Sequence, residues 1–353
     1  MPEIDPARQI PVTVLTGFLG AGKTTLLNHL LRQPAMADAA VLINEFGEIG
    51  IDHHLVDKVD DNLVLLDSGC LCCSVRGDLA RALRNLFMRR LRREIPAFSR
   101  VLVETTGLAD PAPVIYTLLE DFFIAERFRS DGIVAAVDVT HAEIQLAQHA
   151  EAVKQVAMAD RLLLTKCDLA DAATLARIRA RLAALAPGTP QVEVQRGEVA
   201  AKELAGCGLY DPATKTADVR RWLAEEAVRA AGGAGVRAHD PARHERHDTR
   251  VHSFVLRFAE PFAWGEFAEA IDVLLSTCGD RILRVKGLVA VAGEAAPRVV
   301  HCLQHVRYPE AALPAWPDDD HASRLVFIVR DFSRDYVEKA FAMFCGQPPA
   351  ADA

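Results

Sequence analysis

Gly17-Phe18-Leu19-Gly20-Ala21-Gly22-Lys23-Thr24-Thr25 is the stretch that decides the fold. It reads as a glycine, four intervening residues and then Gly-Lys-Thr, the pattern of a loop that cradles phosphates. Its flanks agree. The apolar run from Pro11 to Thr16 predicts a buried strand, and Leu26 to Leu31 predicts a helix. Glycines let successive backbone N–H groups turn toward one anion, the helix N-terminus adds partial positive charge, and Lys23 supplies a point charge for the outer phosphates. Thr24 is then the expected hydroxyl ligand of Mg²⁺. A glycine-rich turn followed by a chance lysine is the bland alternative, and the strand, loop and helix in order argue against it.

Two more strand ends carry chemistry. Arg100 to Thr105 predicts an apolar strand that runs into Glu104-Thr105-Thr106-Gly107. A carboxylate at a strand tip beside a phosphate loop can hold the Mg²⁺ shell through water, and a nearby glycine lets its backbone N–H touch a γ-phosphate. Arg161 to Leu164 predicts a further strand, followed by Thr165-Lys166-Cys167-Asp168. A carboxylate there could accept both the N1 and N2 protons of guanine, a pair adenine lacks, so Asp168 points to GTP; a helix N-cap is the competing use of the same residues. The usual guanine motif begins with Asn, and Thr165 stands in that place.

The chain has eight cysteines, of which Cys70, Cys72 and Cys73 are clustered. No signal peptide is apparent in the acidic start Met1-Pro2-Glu3-Ile4-Asp5, so a reduced cytoplasmic setting is expected, where close-set thiols bind metal or do redox work. An extended backbone would put Cys70 and Cys72 on one face, and a bend would bring in Cys73. Ser74 reads as the N-cap of a helix from Arg76 to Arg93; its positive end and Arg76 favour the thiolate that zinc or cobalt requires. The alternative is structural thiols or a redox pair. The other five cysteines read as small core residues.

With 353 residues, 50% hydrophobic and 25% charged, the chain has material for two cored domains. A net charge of −8 argues against nonspecific nucleic-acid binding, and no apolar run suffices to span a membrane. The arginines from Arg76 to Arg93 read first as a solvated face and second as a dock for an acidic client. Short strands alternating with helices from Pro11 to about Gln195 predict an α/β fold, a parallel sheet with helices on both faces. The expected division is a nucleotide domain over 1–230, a linker over 231–249, a smaller α+β domain over 250–346 and a frayed tail over 347–353. The linker region holds His239, His244 and His247, with His252 just beyond; they could capture metal weakly, though a merely polar linker is the simpler reading. His53 and His54 read as surface histidines.

Together the phosphate loop, Asn44-Glu45-Phe46-Gly47-Glu48, Gly69-Cys70-Leu71-Cys72-Cys73-Ser74, Glu104 to Pro111 and Thr165 to Asp168 resemble, in order and spacing, the CobW-like GTPases, which include the zinc-regulated GTPase metalloprotein activators. The segment Arg284-Val285-Lys286-Gly287 resembles that family's C-terminal domain. The resemblance implies a cytosolic metallochaperone that uses GTP and Mg²⁺ to load a metal, most often Zn²⁺ and conceivably Co²⁺, from its Cys-x-Cys-Cys loop into a client metalloprotein. It makes Gly17 to Thr25 with Thr165, Lys166 and Asp168 the nucleotide site and Cys70, Cys72 and Cys73 the metal ligands. Lys23, Glu104 and Gly107, with Glu48 of the expected switch segment, form the catalytic set. Ile43 stands where some relatives carry a carboxylate near the metal. Other readings stay open: cobalt delivery for cobalamin synthesis, a metal-sensing GTP-binding module, a P-loop small-molecule kinase with structural cysteines, and self-association into a homo-oligomer.

Overall fold

A computed structural model describes residues 9–43, 63–65, 75–207 and 251–350. They fall into two compact units: one runs to Arg179 and is taken up again at Pro190, and the other holds Ala180–Thr189 and the chain from Val251 onward.

The first unit is built on β1 (Ile10–Gly17), β2 (Ala39–Ile43), β3 (Leu63–Leu65), β4 (Arg100–Glu104), β5 (Phe128–Asp138), β6 (Arg161–Thr165) and β7 (Gln191–Glu193). Every neighbouring pair is parallel, in the order β3-β2-β4-β1-β5-β6-β7. Parallel neighbours require crossovers. Helix α1 (Lys23–Leu31) follows β1, α2 (Val75–Leu91) follows β3, and α3 (Ala112–Glu120) with the short α4 (Phe122–Ala125) follows β4. Helices α5 (Ala142–Gln148) and α6 (Ala150–Met158) lie between β5 and β6, and α7 (Ala172–Leu185) comes after β6.

Strand β1 lies at the centre because both its faces are apolar: Val12, Val14 and Leu15 are at most 1% exposed. Its two buried threonines are satisfied, Thr13 Oγ1 by the Leu204 carbonyl at 3.2 Å and Thr16 Oγ1 by the Thr105 hydroxyl at 2.9 Å. From β1 the chain goes out to β2 and β3 on one side, returns to β4 and then crosses to β5 on the other. A reversal of this kind opens a crevice beyond the carboxyl ends of the strands, where ligands of open α/β sheets bind.

Two elements carry small differences from expectation. Helix α1 begins at Lys23 rather than Leu26, because Gly22 adopts the left-handed conformation, φ 84°, and turns the chain straight into it. On α2, Leu79, Leu83 and Leu86 form the buried stripe, which leaves Arg81 and Arg84 exposed beside Asp78 and Asp121. That is the solvated face expected of the arginines.

The second unit carries β8 (Val251–Phe258), β9 (Ile282–Val289), β10 (Arg298–Leu303), β11 (Val306–Arg307), β12 (Ala311–Ala312) and β13 (Ser323–Arg330). They form an antiparallel sheet, β11-β10-β9-β13-β8, with β12 on β10. Alternate residues Leu325, Phe327 and Val329 face a core closed by α8 (Trp264–Cys278) and α9 (Arg334–Cys345). Phe258, Phe262, Phe267 and Phe341 meet in its centre with ring centroids 4.9–6.2 Å apart. Helix α9 ends where Gly346 turns left-handed, φ 64°. The frayed tail expected after it needs correction as far as residue 350: the Gln347 amide donates to the Pro261 carbonyl and the Ala350 N–H to that of Arg257. Position at the chain end suggested fraying, and these two long-range bonds override it as far as residue 350.

Phe341 is fully buried at the junction of both helices and the sheet. Phe341→Ala is expected to destabilise this unit by about 3–5 kcal/mol, measured as a fall in the denaturant midpoint followed by tryptophan fluorescence.

Candidate functional site

The site begins where β1 stops. Gly17 has φ 141°, and a Cβ on it would lie 2.4 Å from the Ala136 carbonyl oxygen of β5, so only glycine lets the strand leave the sheet there. Gly20 and Gly22 also have positive φ, 74° and 84°, and the Ala21 N–H bonds back to the Phe18 carbonyl at 3.1 Å. Lys23 folds back over this turn, its Nζ donating to the Gly17 carbonyl at 2.9 Å and the Phe18 carbonyl at 3.3 Å. The ammonium is thus held at the mouth of the loop, with the N-terminus of α1 behind it.

Thr24 Oγ1 donates to Glu104 Oε1 at 3.0 Å. That contact tests the fit to Mg²⁺. A hydroxyl has one proton and two lone pairs; with the proton given to a carboxylate, both lone pairs are left for a cation, and the carboxylate stands beside it. The donor set fits a hard divalent ion. Gly107, three residues on, lies against the phosphate loop: a Cβ there would be 2.6 Å from both the backbone nitrogen and Cδ2 of Leu19. Thr105, Gly107 and the loop therefore share one wall.

Strand β6 closes the other side. Thr165 Oγ1 donates to the Ala21 carbonyl at 2.8 Å, so the residue standing where Asn was expected ties the strand end to the phosphate loop with its hydroxyl. Lys166 has φ 58°, in the left-handed region, and its Nζ reaches Asp138 Oδ2 at 2.6 Å. Asp168 is exposed and accepts the Arg196 N–H at 3.3 Å. Thr25, next along α1, packs against the chain after β7: a Cβ on Gly197 would meet its Cγ2 at 2.8 Å.

Two parts of this wall were not singled out from the sequence. Asp138 ends β5, and the turn Gln195 to Glu198 follows β7, with Arg196 and Gly197 both at positive φ. An Arg-Gly pair after a strand signals such a turn, while nothing local distinguishes Asp138 from any other strand-end carboxylate. Glu48, the segment from Asn44 to Gly50, Cys70, Cys72, Cys73, His53, His54, His239, His244 and His247 lie outside the described residues. The strands that precede the Glu48 and cysteine segments in the sequence are described: Ile43 pairs with Leu65 on one side and Glu104 on the other, so β2 and β3 end at the carboxyl edge that carries Glu104. Ile43 is buried and apolar and offers no ligand.

The remaining cysteines bear on where metal can bind. Cys167, Cys302 and Cys345 are buried, as expected of core residues, whereas Cys207 and Cys278 are half-buried. Burial pushes the Cys345 thiol up to about 11 and raises those of Cys302 and Cys167 as well, so none of the three offers a ready thiolate. Among the described residues no group of three or more His, Cys, Asp and Glu side chains could hold a metal ion, and no helix is long and apolar enough to cross a membrane.

Residues 11–193 match the CobW/HypB/UreG nucleotide-binding domain, and residues 251–345 match the cobalamin synthesis protein CobW C-terminal domain. The chain is 33% identical to the zinc chaperone YjiA of Escherichia coli K12 over 335 residues, 94% of this chain and 98% of that protein. It is 30% identical to the zinc chaperone CobW of a Sinorhizobium species over 320 residues, 81% and 83% of the two chains. The crystal structure of Zn(II)-bound YjiA GTPase from E. coli superposes with a TM-score of 0.68 at 29% identity, covering 95% of this chain and 99% of that one.

Asp138 gives the site a measurable signature. Burial alone would raise its pKa, but hydrogen bonds from Lys166 and from the hydroxyl and N–H of Thr140 outweigh burial and hold the carboxyl below its usual 3.8. A depressed folded-state pKa adds stability above the unfolded value, and that stability is lost as pH falls through the folded one. Asp138→Asn is therefore expected to cost about 1–2 kcal/mol at neutral pH. In urea melts across pH, the difference from wild type should shrink below about pH 4; a constant difference would rule out the charge as its source.

Proposed function

The chain belongs to the CobW family of P-loop GTP-binding proteins, and on that premise we propose that it is a GTP-hydrolysing metallochaperone that binds zinc at Cys70, Cys72 and Cys73 and passes it to a client metalloprotein. The observation that carries the reading is the 3.0 Å contact of Thr24 with Glu104 beneath the loop that holds Lys23. It joins a phosphate cradle to a divalent-cation donor set at the switch point of a parallel sheet. Gly17 to Thr25 would hold the phosphates, Thr24 with Glu104 would hold Mg²⁺, and Thr165, Lys166 and Asp168 would take the guanine side. Bound there, Mg²⁺ would supply positive charge to the phosphate oxygens. In this reading the nucleotide domain extends over 1–230 and the C-terminal domain over 250–346.

Zinc is the proposed cargo because the full-length relative above is named a zinc chaperone and because thiolates suit it. Thiolate zinc sites bind with apparent energies of about 10–16 kcal/mol, so delivery needs something that weakens the site. The sheet register supports a route. Strands β2 and β3, which precede the segments with Glu45, Glu48 and the three cysteines in the sequence, end next to the end of β4 that presents Glu104. A change at the terminal phosphate would act on neighbours of the metal loop.

Three measurements test this. Lys23→Ala should abolish GTP binding or turnover with the fold intact by circular dichroism, since the Lys23 ammonium is held by the Gly17 and Phe18 carbonyls of its own loop. Replacing Cys72 and Cys73 with Ser should remove the thiolate charge-transfer band of Co²⁺-substituted protein; an unchanged spectrum would place the metal elsewhere. Zinc should bind at least about tenfold tighter with a nonhydrolysable GTP analogue than with GDP, roughly 1.4 kcal/mol, and by linkage zinc should tighten the analogue by the same factor. Equal zinc affinities in chelator competition would exclude nucleotide-driven delivery.

A further inference from the structure

Gln155 is 1% exposed on the apolar face of α6, between the buried Ala152, Val153 and Val156, and the reading above gives it no task. Its Nε2 donates to the carbonyls of Gly107 at 3.1 Å and Ala109 at 3.0 Å. Both partners are pure acceptors, so only the NH₂ end of the amide can face them. A buried amide among aliphatic side chains costs free energy that a leucine or methionine in the same place would not. What the amide holds therefore decides the residue.

It holds the loop after β4 from outside, while the loop also closes on itself. The Ala109 N–H donates to the Thr106 carbonyl at 3.0 Å. The peptide group before Gly107 is thus fixed through the Thr106 oxygen, and the one after it through the Gly107 oxygen that Gln155 holds. With Leu19 packed against its α-carbon, Gly107 is pinned from three directions. The same helix reaches the site twice more: Lys154 pairs with Asp110, and His149, at its start, packs against Phe18 of the phosphate loop with ring centroids 4.5 Å apart.

We propose that Gln155 is a positioning residue for recognition of the terminal phosphate, acting through Gly107 and Ala109 to set the loop that tells a triphosphate from a diphosphate. The inference rests on the GTP reading of the site. A diphosphate shares the cradle of Lys23 and Thr24 with a triphosphate, so the two differ at the segment that Gln155 holds. Removing the amide should therefore cost one nucleotide and spare the other.

The test uses the full chain with Mg²⁺, titrated with a nonhydrolysable GTP analogue and with GDP. Gln155→Met keeps the volume and apolar packing and removes both donors. Its affinity for the analogue is expected to fall about tenfold or more, with GDP affinity within about twofold of wild type and a similar thermal midpoint. Lys154→Met loosens the same loop at Asp110 from a partly exposed position; it is expected to shift the ratio in the same direction by about threefold, and it carries the test should Gln155→Met fail to fold. An unchanged ratio of analogue to GDP affinity in the folded variants, or an equal loss for both nucleotides, would overturn the inference and leave Gln155 a packing residue. Wild-type protein that binds neither nucleotide would overturn the GTP reading itself, and this inference with it.

Discussion

The close approach of β1 to β5 at Gly17 is the constraint on which the site depends. The two strands stay paired up to Gly17 and Ala136, with no room for a side chain between them. The strand has to peel away there, and the turn that follows, through Gly20 and Gly22, delivers the chain into α1 with Lys23 and Thr24 in its first turn. Three strands then fix the loop by different contacts: β4 through Glu104 to Thr24, β5 by the steric wall at Ala136, and β6, one strand further out, through Thr165 to Ala21. A flexible glycine loop would lose much of its binding energy to ordering. Tied from three strands, this one is organised in advance.

Much of this was legible because the chemistry that needs these residues is local. A phosphate cradle needs glycines where φ is positive and a lysine at the start of a helix, and both requirements are written in consecutive positions. Strands read correctly for the same reason: a parallel sheet covered on both faces leaves continuous apolar runs such as Leu162 to Leu164, and the alternating strand Val251 to Phe258, whose Phe254, Leu256 and Phe258 meet the core, announces a sheet covered on one face. The short β11 and β12 have too few residues to show either period.

Asp138 and Gln155 were not legible, and the reason is distance along the chain. Lys166 meets Asp138 across two strands, and Gln155 meets Gly107 from a helix belonging to another crossover. A glutamine inside an apolar helical stripe looks like an error in the pattern until its acceptors are known. Thr165 was legible as a departure but not as a function: its identity suggested a weakened guanine motif, while its hydroxyl performs a tie to the phosphate loop.

Asp138 and Gln155 lie on the same connection, the chain that leaves β5, forms α5 and α6 and returns as β6. Its first residue balances the charge of Lys166, and its second helix holds Gly107 and Ala109. One crossover therefore supports two sides of the candidate site, the strand end at Lys166 and the loop after β4, without belonging to either motif. A helix carrying buried bonds at Gln155, an ion pair at Lys154 and a ring contact at His149 behaves as a unit, because moving it would break all three together. In the proposed function, such a support would let the loop after β4 respond to the terminal phosphate as one unit rather than as a compliant strand end. A carboxyl edge shared with the strands that lead to the cysteines needs an element of that kind if a phosphate is to control a metal.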